Sequence, residues 1–176
     1  MTKEQATRLI DCPAISVTHP TVWADFGAGT GVFTNALSSL LFPGSRIIAV
    51  DRNSASLAKI NLSPTVMLAR NTEDFTRIDL PQHSLDGLLM ANALHFVKDK
   101  VSFLKRLPAF LSKAATLIIV EYDMNKPNPW VPYPVSFDTL DKLISSCLGI
   151  NIQKIAEIPS VYNRGMIYGA FGMWGD

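Results

Sequence analysis

Asp25-Phe26-Gly27-Ala28-Gly29-Thr30-Gly31 joins a short apolar run, Val22-Trp23-Ala24-Asp25-Phe26, to a stretch of helical periodicity over 32–41. Glycines at alternate positions remove the side chains that would keep a ligand off the backbone, and they admit the positive φ of a tight turn. The following stretch places Val32, Phe33, Ala36, Leu37, Leu40 and Leu41 on one stripe and stops at Pro43-Gly44. Its start offers amides that have no partner within the helix. A glycine-rich turn by itself is a weak signal. Here a strand precedes it, a helix follows it, and an acid ends the next apolar run. That acid is Asp51, directly after Arg46-Ile47-Ile48-Ala49-Val50. A carboxylate in that place can accept both hydroxyls of a ribose, which points to a nucleoside-containing ligand. Capping of the next helix is its competing, structural role.

Outward from this motif, three more apolar runs occur: Thr65-Val66-Met67-Leu68, Leu85-Asp86-Gly87-Leu88-Leu89-Met90 and Thr116-Leu117-Ile118-Ile119-Val120. Runs that are continuously apolar suit strands buried on both faces, hence a parallel sheet covered by helices. Helices are expected over 54–60, over 100–111 with a kink at Pro108, and over 137–148 closed by Gly149. One short amphipathic helix fits 3–10. Residues 150–155 and parts of 166–171 alternate in polarity, with 159–165 between them, and predict a closing antiparallel hairpin. The expected fold is a single α/β domain over 1–176, doubly wound and mostly parallel, with seven strands and a short N-terminal segment over 1–19. Residues 126–134 read KPNPWVPYP, a stiff extended loop leaving the fifth strand at the sheet edge where such folds bind ligands.

Composition narrows the function classes. The chain is 48% hydrophobic with 16 basic and 15 acidic side chains, so it has no electrostatic footprint for nucleic acid. Its two cysteines, Cys12 and Cys147, lack the spacing of a metal site or disulfide framework, and no metal is expected. Met1-Thr2-Lys3-Glu4-Gln5 leads into no apolar targeting region, and no run reaches the ~20 apolar residues of a membrane span. A soluble, cytoplasmic protein is expected.

The dinucleotide fingerprint GxGxxG would put its third glycine on Val32. The chain instead reads DxGxGxG from Asp25, which resembles the first motif of the class I S-adenosylmethionine-dependent methyltransferases, type 11-like. Softer resemblances follow: Ala69-Arg70-Asn71-Thr72-Glu73-Asp74-Phe75 to that family's GDAEDL, Leu80-Pro81-Gln82-His83-Ser84-Leu85-Asp86 to its LP…SFD lead, and Met90-Ala91-Asn92-Ala93-Leu94-His95-Phe96 to its loop after strand four. Together they cover residues 20–172. The resemblance implies a Rossmann-like sheet and S-adenosyl-L-methionine as cofactor. It implies that Gly27, Ala28, Gly29 and Gly31 wrap the methionine and ribose, that Asp51 holds the ribose hydroxyls, and that Asp25 organises the loop and the amine end. By the same resemblance Asn71, standing where relatives have Asp, would meet the adenine amino group. Thr72 would offer its amide to the ring, Arg52 would lie along the adenine, and Ala91 and Asn92 would lie near the sulfonium.

The implied reaction is in-line methyl transfer to a small molecule or an exposed protein group, for which positioning is the protein's main contribution. His95 is the candidate catalytic base, against a plain capping or packing role. Glu121 and Tyr122, ending strand five, are candidate substrate contacts. Trp130 and Tyr133 are a candidate aromatic lip, or else anchors of the proline-rich loop. With no Asn-Pro-Pro-Tyr run after strand four, amino methylation of DNA bases finds no support. Little chain precedes the first strand, so the acceptor site is expected to be shallow or completed by another subunit, as in a homodimer. Two other classes compete: a non-catalytic methyltransferase-like interaction subunit, and an NAD-binding oxidoreductase.

Overall fold

The computed structural model describes residues 1–15, 18–160 and 165–174. Its centre is a seven-stranded sheet ordered β3-β2-β1-β4-β5-β7-β6. The strands are β1 (Val22–Phe26), β2 (Arg46–Val50), β3 (Met67–Asn71), β4 (Leu85–Ala91), β5 (Leu111–Tyr122), β6 (Gln153–Pro159) and β7 (Met166–Met173). The first five pair in parallel, whereas β7 runs antiparallel to both β5 and β6. The closing pair is therefore present, with its second strand inserted against β5 and its first left at the edge. Residues 161–164 of the predicted connection lie outside the described residues.

Helices cover both faces: α1 (Lys3–Ile10), α2 (Val32–Ser38), α3 (Ser54–Leu57), α4 (Lys100–Leu104) and α5 (Phe137–Leu148). The twofold alternation of a strand sorts β4 between the two layers. Leu88 and Met90 join a core with Phe26, Leu104, Leu140 and Ile144 under α4 and α5. Leu89 and Ala91 face the other way, into a core with Leu9, Trp23, Leu37 and Ile118 under α1 and α2. The N-terminal segment is thus part of the domain. A capping box between Thr2 and Gln5 starts α1, and its Leu9 carbonyl lies where a Cβ on Gly169 would come within 1.8 Å. Only a glycine in β7 lets the helix lie that close.

Several element boundaries depart from the sequence reading. The third strand starts at Met67 and runs through Arg70 and Asn71 at the sheet edge. The helices expected over 32–41 and 54–60 end at Ser38 and Leu57, and the first hairpin strand spans Gln153–Pro159 rather than 150–155. The helix expected over 100–111 stops at Leu104, and a 3-10 turn at Leu107–Ala109 carries Pro108. The fifth strand then begins at Leu111, ahead of the apolar run at 116–120. A register shift between Leu85 and Gly87 accommodates this early pairing with β4.

Strand order reverses at β1, which pairs with β2 on one side and β4 on the other. Crossovers leave in opposite directions from this point, and a crevice opens at the carboxyl ends of the two strands. Both the glycine turn and the 92–96 loop lie at that crevice. Among the described residues, no helix is long and apolar enough to cross a membrane.

Candidate functional site

The glycine turn is shaped by its neighbours. Gly27 has φ +81°, and a Cβ there would come within 2.7 Å of Ala93 Cβ. Gly31 has φ +85° and lies equally close to Ile60. Both positions combine a left-handed backbone with a close approach, so any side chain is excluded twice over. Gly29 differs: at φ +52°, a Cβ there would meet nothing within 4 Å. Ala28 turns inward and packs against Leu57 and Ile60.

Asp51 fixes this turn. Its Oδ2 accepts from the Gly29 amide at 2.9 Å and its Oδ1 from the Asn53 amide at 2.8 Å. A carboxylate offers about four lone-pair sites, so two remain for further donors. The loop-holding role and the ribose role are therefore compatible. Asp25 is 1% exposed and accepts from the Thr34 hydroxyl at 2.6 Å. Burial raises its pKa to about 7; the Thr34 bond opposes the rise and the charge of Asp51 adds to it. A cation bound beside it would reverse that penalty.

Two cavities adjoin at the crevice. The first, about 330 Å³, is lined by Gly27, Asp51, Arg52 and Asp74–Thr76 on one side and by Asn92, Ala93 and Phe96 on the other. Asn71 and Thr72, the residues expected at the adenine, do not line it. The chain turns after β3, with the Asp74 carboxylate accepting from the Thr76 amide and hydroxyl. That turn places Asp74, Phe75 and Thr76 at the wall instead. Phe75 stacks on Phe26 and meets Phe103 edge to face, at centroid distances of 5.9 and 5.8 Å. Ala91 also stays out of the cavity, being the buried last residue of β4. Its neighbour Asn92 has φ +51°, a strained backbone for a residue with a side chain. Among the described residues its Oδ1 is the one buried side-chain oxygen or nitrogen without a hydrogen-bond partner. A buried acceptor left orphaned costs about 1–3 kcal/mol, and a ligand N–H would remove that cost.

The second cavity, about 640 Å³, shares Asn92 and Phe96 with the first. His95, Tyr122 and Trp130 also line it, with Pro129 and Val131 beside them. His95 is 2% exposed, and its Nδ1 lies 2.7 Å from Glu121 Oε2 while its backbone amide donates to Oε1 at 3.0 Å. Glu121 is fully buried behind the imidazole, which corrects the expectation of a substrate contact: both its oxygens are engaged by His95. A carboxylate only accepts, so Nδ1 is the donor toward Glu121 and Nε2 is the ring's other nitrogen.

The proline-rich segment folds over this cavity. Asn128 Oδ1 accepts from the Trp130 and Val131 amides, both at 2.9 Å, which fixes the tip. Trp130 stands 78% exposed at the mouth. Tyr133 serves as the anchor: its amide donates to the His95 carbonyl at 3.0 Å, and its own carbonyl accepts from Lys100 Nζ at 2.8 Å. From the other side, Met1 and Gln5 line a small cleft beside Asn92 and Tyr122. The acceptor side is thus a sizeable cavity walled by this chain's own proline-rich loop and left open at its mouth, where Trp130 stands exposed. Phe96, Ala93 and Asp74–Thr76 went unselected in the sequence reading, although all but Thr76 lie within the stretches that carried the resemblance.

Comparisons with known proteins agree with this architecture. A search of curated protein sequences returns no match. The structure is similar to a SAM-dependent methyltransferase from Aquifex aeolicus at 16% identity and TM-score 0.67, covering 98% of each chain. It is similar to the 1,6-didemethyltoxoflavin-N1-methyltransferase of Burkholderia thailandensis, solved with its substrate and S-adenosylhomocysteine, at 19% identity and TM-score 0.74, covering 99% of this chain and 78% of that one. A Methanosarcina mazei methyltransferase matches at 15% identity and TM-score 0.72, over 94% and 99%. At such identities these structures speak for the fold. The family is settled by sequence, because the family model for a methyltransferase domain matches residues 24–119, more than half of the chain and the part that holds the glycine turn, Asp51 and Asn92. The chain therefore belongs to the class I S-adenosylmethionine-dependent methyltransferases, with S-adenosyl-L-methionine as its cofactor.

Proposed function

We propose that this chain methylates a small molecule held in the 640 Å³ cavity, with the donor in the adjoining groove. The observation that carries the reading is the junction itself: Asn92 and Phe96 line both spaces, so a donor in one and an acceptor in the other meet there. Asp51 keeps lone pairs for the ribose hydroxyls, Gly27 and Gly29 leave room for the methionine portion, and Asn92 Oδ1 receives an N–H of its amine end. Gly31, Ala28 and Ala91 act from behind by setting the backbone. The adenine end falls to Asp74–Thr76 and Arg52, with Asn71 and Thr72 fixing where that turn begins.

Bound S-adenosylmethionine supplies a methyl carbon already activated by a sulfonium. The protein's share is alignment, worth roughly 7–11 kcal/mol in well-oriented pairs. Ionised Asp25 balances cationic charge at the donor end. His95 takes the acceptor's proton through Nε2, and the loop at 126–134 walls the cavity. A concave space of this size suits a small molecule better than an exposed protein side chain.

A thermal-shift titration with S-adenosylhomocysteine and NAD, followed by transfer of labelled methyl to small-molecule and protein fractions, tests the reading. Ligand at 100 times its Kd adds about 2.7 kcal/mol, a rise of roughly 5–10 °C for a domain of this size. The expected result is a shift with the adenosyl compound alone and label in the small-molecule fraction. Label recovered only in protein would overturn the assignment of acceptor. Tight binding with no transfer anywhere would favour an interaction subunit.

A further inference from the structure

The acceptor cavity differs from most binding sites in what it lacks. Among the described residues, no Asp, Glu, Lys or Arg lines it. A carboxylate, phosphate or ammonium on the acceptor would find no counter-charge among them, and a sugar's many hydroxyls would find few partners. What it does offer is aromatic surface: Phe96 at 55% exposure and Trp130 at 78% both stand beside it, with Tyr122 as a further wall. Large rings left in solvent around one concavity are a stacking surface in want of a partner. Trp130 is also held in place, since the turn beneath it is closed by two bonds to Asn128.

The proton-accepting group points the same way. An imidazole takes a proton most readily from a group of phenol-like acidity, near 10, because an aliphatic hydroxyl is a far weaker acid. We propose, building on the small-molecule reading above, that the acceptor is a flat aromatic molecule carrying an acidic O–H or N–H, and that Glu121 is the positioning residue that aims His95 at it. Glu121 does this by accepting both from the ring Nδ1 and from the backbone amide, which fixes the tautomer and the ring together. In the step, the acceptor oxygen or nitrogen forms a bond to the methyl carbon as the carbon–sulfur bond breaks. The acceptor's proton passes to His95 Nε2, S-adenosylhomocysteine leaves as a neutral thioether, and the imidazolium beside Glu121 releases its proton to solvent.

The first experiment measures binding of 2-naphthol and of its saturated counterpart 2-decalol by calorimetry, with S-adenosylhomocysteine bound, and quenching of tryptophan fluorescence by the naphthol. The naphthol should bind at least tenfold more tightly, and Trp130→Leu should abolish most of the quenching. Equal binding of the saturated alcohol would overturn the aromatic class. So would the absence of methyl transfer to every member of a panel of naphthols, hydroxycoumarins and hydroxyindoles. The S-adenosylhomocysteine thermal shift is read in parallel: its loss would sink the underlying methyltransferase reading instead. For Glu121, His95→Gly should lose most turnover and regain at least tenfold with added imidazole. The double variant His95→Gly with Glu121→Gln should show no such rescue, because Gln presents an NH2, which cannot accept, in place of one of the two oxygens that each take a hydrogen bond. Rescue that ignores Glu121 would remove its positioning role, and the S-adenosylhomocysteine shift checks that each variant is folded.

Discussion

The donor groove and the acceptor cavity share Asn92 and Phe96 but are built from different material. The groove is a backbone construction. Glycines with enforced positive φ, an aspartate bonded to two amides, and a tight turn after β3 shape it. The cavity is a side-chain construction, in which rings and an imidazole arrive from the loop after β4, the end of β5 and the proline-rich segment. A backbone site recognises one unchanging ligand. A side-chain site can be re-specified residue by residue without disturbing the sheet. The division matches a reaction with one constant donor and variable acceptors.

If the two halves are separable, substitutions in one should leave the other untouched. The largest effect is expected from His95→Ala: kcat lower by roughly 10²–10⁴, the range for loss of a general base, with S-adenosylhomocysteine affinity within twofold of wild type. Stopped turnover assays and calorimetry read the two quantities separately. A parallel loss of S-adenosylhomocysteine affinity would mean that the ring supports the groove as well, and the division would fail. The reciprocal change is Asp51→Ala. It removes a ribose partner and the clamp on Gly29, and should weaken S-adenosylhomocysteine binding by about 100-fold, or ~2.7 kcal/mol. Its melting temperature should stay within a few degrees of wild type, since Val50 still holds Gly27 and Ala28 through their amides.

This division also explains which parts were legible in the sequence. DFGAGTG and Asp51 lie within 27 consecutive residues, and a strand, turn and helix in succession leave their backbone few options. The sheet's parallel core was legible for the same reason: runs such as Ile47-Ile48-Ala49-Val50 admit little else. Glu121 was misjudged because no sequence pattern tells whether a carboxylate at a strand end faces solvent or an imidazole 26 residues earlier. Asn71 carried over from the family's motif, yet the turn at Asp74–Thr76 brings different side chains to the wall. The fifth strand's start at Leu111 was missed because the helical pattern over 100–111 ran through it, whereas a register shift in β4 lets Leu111 pair with Leu85. The misses at Glu121 and Leu111 turned on partners distant in sequence, which local propensity does not encode.

Asp25 connects the halves of the comparison through pH. Its folded pKa of about 7 lies above the ordinary carboxylate value of 3.8, so the unfolded chain ionises first. Stability should therefore be full below about pH 4, decline by up to ~1.4 kcal/mol per unit between the two values, and level off above pH 7. Asp25→Asn keeps an acceptor for Thr34 and should abolish this slope, which urea unfolding at pH 5 and 8 would measure. Binding of the cationic donor should show the opposite dependence. Ionised Asp25 favours it, so affinity should rise severalfold from pH 5.5 to 7.5 in the wild type and stay flat in the variant. A flat wild-type profile would show that the charge is compensated elsewhere in the groove.

The smallest expected effect tests how tightly the loop over the cavity is held. Lys100 Nζ donates to the Val97 and Tyr133 carbonyls at 2.9 and 2.8 Å and lies 5.6 Å from the Tyr133 ring centre. Tyr133 in turn bonds the His95 carbonyl, so one ammonium links the loop after β4 to the loop after β5. Lys100→Met retains the apolar stem and removes the charge. The bonds are partly solvated, so about 1 kcal/mol should be lost, and the acceptor's KM should rise about fivefold. Turnover at saturation should change little, because His95 remains aimed by Glu121 independently of the loop. S-adenosylhomocysteine affinity should not change at all. A fall in kcat equal to the rise in KM would show instead that the loop sets the imidazole's position, making Tyr133 a second positioning residue alongside Glu121.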